Sequence, residues 1–342
     1  MKPVFSDVVG NTALCERVCG DILSQKLSHA YILEGAKGSG KHTLAWRIAA
    51  ALACEKQSDT TAPLPCMTCP SCHKIFGGNS PDVILVNRGD KATLGVDVIR
   101  EVKRDIWIAP NDIAAKIYII EDAQTMTEQA QNALLLTLEE PPAYVLFLLL
   151  TENAASLLET IRSRAPTLRT EPLDTEQING YLSKNAEASL LKRNTPEEYF
   201  EIIAAADGSI GRALTLLDAK NRKPILTQRA NAKEFVRLCS ARKNSAASMK
   251  LLNGLGQKRD ELTSQMNVIL YCLRDLLLLK QTDSAPLCFF ADREEALQMA
   301  YSFSTPDLLM LCQKIEDCIS SLQMNANVRL TLTTLAVNTG LL

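Results

Sequence analysis

The residues best suited to chemistry fall in two clusters in the first quarter of the chain, a glycine loop ending in lysine and a set of closely spaced cysteines. The loop is GAKGSGKH, residues 35–42, behind the apolar run 30–33 and ahead of a helix-forming stretch at 43–50. In that setting Gly35, Gly38 and Gly40 let backbone N–H groups curl around phosphate oxygens, and Lys41 reaches the terminal phosphates. His42 stands where a magnesium-binding hydroxyl is usual, and an imidazole is a poor ligand for a hard, oxygen-seeking cation. Thr43 points about 100° further round the helix, so it does not replace that hydroxyl. Gly35, Gly38, Gly40, Lys41, His42 and Thr43 are therefore expected to form an ATP site, with or without magnesium, in which hydrolysis suffers. A glycine turn that never meets nucleotide is the plainer alternative.

The cysteines are Cys54, Cys66, Cys69 and Cys72, two overlapping C-x-x-C spacings plus one thiol across an eleven-residue polar loop. Four sulfur ligands within nineteen residues fit tetrahedral Zn2+, and a site with all positions filled is structural and closed. Disulfides and free thiols are the alternatives; His73, next to Cys72, is read as a spectator. A third cluster is Glu121-Asp122, at the end of the apolar run 116–120. Two acids at the carboxyl end of a strand beside a phosphate site suit magnesium binding and water activation. Their usual order is Asp then Glu, and the reversal here, with His42, points to weak or absent turnover. Two acids capping the next helix is the structural alternative.

These residues need a scaffold, and the apolar runs supply one. Strands are expected at 30–33, 83–86, 116–120, 144–150 and 167–169 with helical patterns between most of them, which implies an α/β domain with a parallel sheet covered on both faces. After Pro172 no strand run appears. Helical spacing marks 174–184, 196–206, 210–218, 224–238, 258–280, 293–303 and 305–321, with 219–223 expected as a polar connection. The expected division is a nucleotide-binding-type domain at 1–172 with its cysteine module near 54–72, a small helical domain at 173–220 and a larger helical domain at 221–342. Met266, Leu270, Leu273 and Leu277 form a stripe of the core type.

The 342 residues are 46% hydrophobic and 22% charged, with a formal net charge of -2. There is no basic excess to drive tight autonomous nucleic-acid binding. The longest wholly apolar run, 144–150, is too short to span a bilayer, and the opening MKPVFSDVVG lacks an apolar leader segment. Eleven cysteines, an odd number, suit a reducing compartment. A cytoplasmic protein without a membrane partner is expected.

The ordered succession FSDVVGN, HAYILEGAKGSGKH, the four cysteines, SPD, GVDVIREV, IYIIEDAQTMT, NALLLTLEEPP and IRSRAP resembles the bacterial clamp-loader subunits of DNA polymerase III, over residues 5 to about 217. Within that group it is most similar to the delta-prime type and also related to gamma/tau. The resemblance implies an AAA+ fold with a zinc module, a helical lid and a C-terminal all-helical collar for assembly. It implies that Arg164 of Ser163-Arg164, matching a Ser-Arg-Cys motif with Ala165 in place of Cys, reaches a neighbour's nucleotide as an arginine finger in trans. Arg212 matches a lid arginine that contacts phosphates, and Thr151 and Asn153 fall where the family senses the γ-phosphate. Arg100, Lys103 and Arg104 lie on a helix that is near DNA in the family. The spaced Asn325, Asn327, Leu330, Leu332 and Leu335 resemble the collar. The partners implied are gamma/tau and delta-type subunits and, through the complex, the sliding clamp and primer-template DNA. The leading reading is a non-hydrolysing or weakly hydrolysing stator. The alternatives are an active gamma/tau-type ATPase and a zinc-stabilised adaptor without nucleotide chemistry.

Overall fold

The computed structural model describes residues 4–5, 7–59, 61–241, 245–256, 258–282 and 287–341. It divides into two compact units, Met1–Gln177 with Gly208–Gly211, and Ile178–Asp207 with Arg212–Leu342.

The first unit runs α1 (Thr12–Leu23), β1 (Ala30–Glu34), α2 (Lys41–Ala53), α3 (Pro70–Phe76), β2 (Val83–Val86), α4 (Val96–Asp105), β3 (Lys116–Ile120), α5 (Glu128–Glu139), β4 (Val145–Thr151), α6 (Glu159–Arg162) and β5 (Thr167–Arg169). All five expected strands are present. They form one sheet in the order β2-β3-β4-β1-β5, every neighbour parallel. β3 and β4 are buried along their whole length, which is why they read as unbroken apolar runs rather than alternating ones. The pleat sends Ile117 and Ile119 to a core shared with α1, α2 and α3. It sends Tyr118 and Ile120 to the opposite core, shared with α4 and α5. Tyr118 stacks on Phe147 with ring centroids 5.3 Å apart, and its hydroxyl donates to Asp105 Oδ2 at 2.7 Å. Truncating Phe147 to Ala at this fully buried position costs about 4 kcal/mol.

Local signals place the elements that matter for the site. Thr127 caps α5 by accepting the Ala130 N–H, and Pro141-Pro142 stops that helix. The buried Asp82 accepts N–H bonds from Asn111, Asp112 and Ile113 at 2.8, 2.6 and 3.0 Å, pinning the loop that feeds β3. The register sets Glu34 opposite both Thr151 and Arg169, so the carboxyl ends of β1, β4 and β5 finish level.

In the second unit and its junction the helices are α7 (Thr175–Leu182), α8 (Ala186–Asn194), α9 (Pro196–Ala205), α10 (Ile210–Leu217), α11 (Ala219–Ala241), α12 (Ser245–Gly254), α13 (Arg259–Gln281), α14 (Arg293–Tyr301), α15 (Thr305–Gln323) and α16 (Val328–Thr339). The expected connection at 219–223 is instead the first turn of α11. Asp218 starts it, its side chain accepting the Lys220 N–H at 3.0 Å and its carbonyl the Arg222 N–H at 3.0 Å. Helices α11 and α13 to α16 close on one core that includes Met266 and Leu273, with Leu270 and Leu277 packed at its margin. α13 is the one described helix long and apolar enough to cross a membrane, and that composition is accounted for by Met266, Ile269, Leu273 and Leu276 in the core. Beside it, Glu201 takes Arg229 Nε at 3.1 Å and Lys233 Nζ at 2.7 Å, and Lys233 also reaches Glu295 at 2.8 Å.

Candidate nucleotide site and metal centre

The glycine loop lies between β1 and α2, at the carboxyl edge of the sheet, where β1 is flanked by β4 and β5. Open parallel sheets bind ligands at such a position. Gly38 and Gly40 have φ of 77° and 91°, a region that L side chains rarely adopt. Gly35 is needed for space, because a Cβ there would run into Thr170 Oγ1. The loop is braced by Gly35 N–H to the Thr151 carbonyl at 3.1 Å and by Ser39 Oγ, 2.9 Å from Thr170 Oγ1. The segment Gly208–Gly211 packs on it too. Gly211 N–H donates to the Gly38 carbonyl at 3.1 Å and Ser209 Oγ to the Lys37 carbonyl at 3.2 Å. A Cβ on Gly211 would come within 2.8 Å of Gly38 Cα. Lys41 Nζ folds over the loop, donating to the carbonyls of Gly35 at 2.6 Å and Ala36 at 2.8 Å. Burial pulls its ammonium below the usual lysine value, against the opposing pull of Glu152 and Asp122.

The two departures from a magnesium-using pattern meet in space. His42 Nε2 lies 2.9 Å from Glu121 Oε1, so the second residue of α2 is tied to the residue that follows β3. Trp46, one turn on, holds its ring centroid 6.1 Å from that of His42. Asp122 adopts the left-handed region, with φ 46°, and its carbonyl accepts the Thr125 N–H at 2.7 Å. Glu121 therefore has an imidazole partner where a metal centre needs a free carboxylate. The sequence marked both residues as irregular but gave no sign that they pair. Thr151 is buried and its hydroxyl donates to the Asn153 carbonyl at 3.0 Å, while the Asn153 side chain accepts the Ala155 N–H at 2.9 Å. Glu34, which composition alone did not single out, accepts from Ala154 N–H at 3.0 Å and Arg169 Nε at 2.6 Å. Those bonds, the Ala154 N–H first, hold its carboxyl below the usual range although burial opposes them.

Arg164 stands elsewhere. It follows α6 and precedes β5, which puts it at the amino edge of a parallel sheet, opposite the glycine loop. Its Nη2 donates to Glu139 Oε1 at 2.7 Å and its Nη1 to the Thr160 carbonyl at 3.0 Å. None of these contacts is with the phosphate loop. Arg212 belongs to the second unit, where it lines a cavity of about 590 Å³ with Arg259, Asp260, Asn267 and Tyr271. Arg100, Lys103 and Arg104 are exposed on α4, and Arg100 Nη1 donates to Asp97 Oδ1 at 3.0 Å.

The four thiols come together. The Sγ atoms of Cys54, Cys66, Cys69 and Cys72 all lie within 4.8 Å of one another and all four residues are buried. None is in a disulfide. A tetrahedral zinc site has sulfurs about 3.8 Å apart, so a modest contraction brings this set to zinc geometry. The sulfurs also accept N–H bonds, from Cys66 to Cys54 at 3.4 Å, from Cys69 to Cys66 at 3.3 Å and from Cys72 to Cys69 at 3.4 Å, as metal thiolates require of their surroundings. Burial alone would raise the Cys66 thiol, but bonds from Thr68 and Cys69 outweigh it and bring it down to about 6. Burial pushes Cys54 and Cys72 up. Cys54 closes α2 and Cys69 caps α3, and Arg47 locks the module by sitting 4.1 Å over the Phe76 ring and pairing with Asp7. His73 is exposed and outside the sulfur group.

Comparison with known proteins agrees with this geometry. The family described as DNA polymerase III, delta subunit, matches residues 10–174. The DNA polymerase III subunit tau of Bacillus subtilis is 32% identical over 291 residues, 81% of this chain and 50% of that protein. The subunit gamma of Buchnera aphidicola is 33% identical over 218 residues, 63% of this chain and 57% of that one. The chain thus spans about half the length of these relatives. A solved gamma subunit-related protein from Thermotoga maritima aligns with 95% of this chain and 98% of its own at 17% identity, with a TM-score of 0.43, too slight a likeness to bear on the fold. With the motif order, the delta-subunit match and the tau and gamma relatives in agreement, the chain belongs with the bacterial DNA polymerase III subunits of the delta and gamma/tau kind.

Proposed function

We propose that this chain is a delta-prime-like stator of the clamp loader. It hydrolyses little or no ATP itself, supplies Arg164 to the nucleotide of a neighbouring ATPase subunit, and helps that assembly open a sliding clamp and set it on primed DNA. The observation that carries the reading is the 2.9 Å pair between His42 Nε2 and Glu121 Oε1. Hydrolysis with magnesium needs an oxygen ligand on the helix and a free acid at the strand end, and here those two positions are engaged with each other. The location of Arg164 at the amino edge supports action in trans, since a guanidinium opposite its own loop is placed to meet a nucleotide on another subunit. There its fork would stabilise charge developing on the γ-phosphate.

In this reading Gly35, Gly38, Gly40, Lys41, His42 and Thr43 keep a loop that takes ATP weakly or not at all, and Glu121 and Asp122 are relics of a magnesium site. Residues 1–172 form the nucleotide-type domain, 173–220 the lid with Arg212, and 221–342 the collar, where the exposed Leu330 and Val337 of α16 offer apolar surface to other subunits. Cys54, Cys66, Cys69 and Cys72 hold structural zinc, which would supply fold stability and no catalysis. A gamma/tau-type motor is the second reading, favoured by the tau and gamma relatives and by an intact Lys41. Equilibrium ATP binding with and without magnesium, followed by turnover on the same purified protein, separates the two. The stator reading expects no turnover whether or not nucleotide binds. Magnesium-dependent binding with repeated turnover would overturn it.

A further inference from the structure

α5 ends on Glu139 in the run Leu138-Glu139-Glu140-Pro141-Pro142. A helix carboxyl end carries partial negative charge, so two adjacent acids there are electrostatically unfavourable unless a cation answers them. Arg164 answers Glu139 at 2.7 Å. The side chains of this pair are 45% and 35% exposed, Glu139 and Arg164 respectively, and an ion pair that wet contributes less than about 1 kcal/mol to stability. Its effect on the fold is therefore small, but its effect on geometry is not. Glu139 lies on the last turn of a helix stopped by two prolines, a rigid base. Arg164 is held from a second side by the Thr160 carbonyl at 3.0 Å, with Ser163 Oγ 3.5 Å from the same Nη1. Acceptors from two elements fix the guanidinium plane, and among the described residues Nε has no acceptor and stays available to an incoming anion.

We infer that Glu139 is the positioning residue of the arginine finger: it sets the plane of the Arg164 guanidinium before a neighbour's nucleotide arrives, so that the γ-phosphate meets an oriented fork rather than a freely rotating side chain. The inference rests on the reading of Arg164 as a finger in trans. Orientation of this kind acts on the chemical step, because a misplacement of about 1 Å costs on the order of a hundredfold in rate, and it leaves nucleotide affinity nearly unchanged.

The test uses the assembled complex with its neighbouring ATPase subunit, clamp and primed DNA. Glu139→Ala is expected to lower the neighbour's kcat by up to about fivefold at constant KM for ATP. Glu139→Gln, which keeps an acceptor oxygen, is expected to recover most of that loss. In an Arg164→Ala background Glu139→Ala has no further effect if it acts only through the finger, and thermal melting of the variant chain matches wild type. A normal kcat for Glu139→Ala beside a crippled Arg164→Ala overturns the positioning role and leaves the finger standing. An equal loss from Glu139→Ala in both backgrounds also overturns it. A normal kcat for Arg164→Ala removes the finger reading itself.

Discussion

At the carboxyl edge of the sheet, Lys41 lies on the carbonyls of Gly35 and Ala36 and His42 reaches Glu121. There the lysine is taken up by the loop's own carbonyls and the imidazole by a carboxylate. At the amino edge, Arg164 is steadied by Glu139 and the Thr160 carbonyl, yet 35% of its side chain remains in solvent. The two edges differ in their partners rather than in exposure, since the His42 and Glu121 side chains are themselves 51% and 30% exposed. The carboxyl edge pairs its side chains within the site, while the amino edge holds a guanidinium whose Nε has no acceptor among the described residues. On the stator reading, the contrast teaches that a phosphate loop can persist as scaffold without metal chemistry. Its shape is fixed by Gly38, Gly40 and the bracing contacts of Thr151, Thr170 and Gly211, none of which needs a cation.

The contrast can be broken by substitution, and the largest effect is expected at the amino edge. Arg164→Ala in the assembled complex is expected to reduce the neighbour's ATP turnover about a thousandfold, measured as steady-state ATPase with clamp and primed DNA. Next comes the cysteine module. Zinc content of one ion per chain is expected, and Cys69→Ala or chelation is expected to destabilise the first unit by roughly 3 kcal/mol, read by chemical denaturation. An unchanged midpoint would count against a structural metal. At the carboxyl edge, Gly211→Ala forces a methyl to within 2.8 Å of Gly38 Cα, a backbone clash expected to cost about 2 kcal/mol in a melting experiment.

A pH experiment separates the electrostatics of the second unit from those of the loop. Burial alone would raise the Glu201 carboxyl, but Lys233 and Arg229 hold it below its ordinary value of 4.5. A depressed carboxylate contributes stability that is present above the unfolded value and lost as pH falls through the folded one. Lys233 is raised above 10.5 by Glu201 and Glu295 despite its burial. Its contribution is present below that value and lost as pH rises through the raised one. The network is thus flat across neutral pH, and Glu201→Gln is expected to lower neutral stability by about 2 kcal/mol and to flatten the acid limb of the stability curve. The smallest effect is expected from His42→Thr alone. It leaves the acids reversed, so turnover by the isolated chain stays at background; substantial turnover would show that the imidazole was the sole block.

Most of the sheet was legible because β1, β3 and β4 are buried on both faces and, with β2, read as short apolar runs bounded by turns. The expected 116–120 and 167–169 coincide with β3 and β5, and 144–150 differs from β4 by one residue at each end. The helical part was less legible. α8 has only Asn185 as a cap and one buried residue, Ala188, too little for a periodic signal, and α11 hid its first turn in a charged stretch that Asp218 nucleates. In the candidate site, the loop glycines and the cysteine spacing announced themselves through residue type. The His42–Glu121 and Glu139–Arg164 pairs did not, because their partners are 79 and 25 residues apart along the chain and only the order of strands brings each pair to one edge.

The measurement that tests the account most directly compares Lys41→Ala with Arg164→Ala in the same assembled complex, reading ATP turnover with clamp and primed DNA. The account predicts that removing Lys41 leaves turnover within about twofold of wild type, while removing Arg164 lowers it about a thousandfold. Loss of turnover with Lys41→Ala and none with Arg164→Ala would contradict it, and would make the carboxyl edge the working nucleotide site.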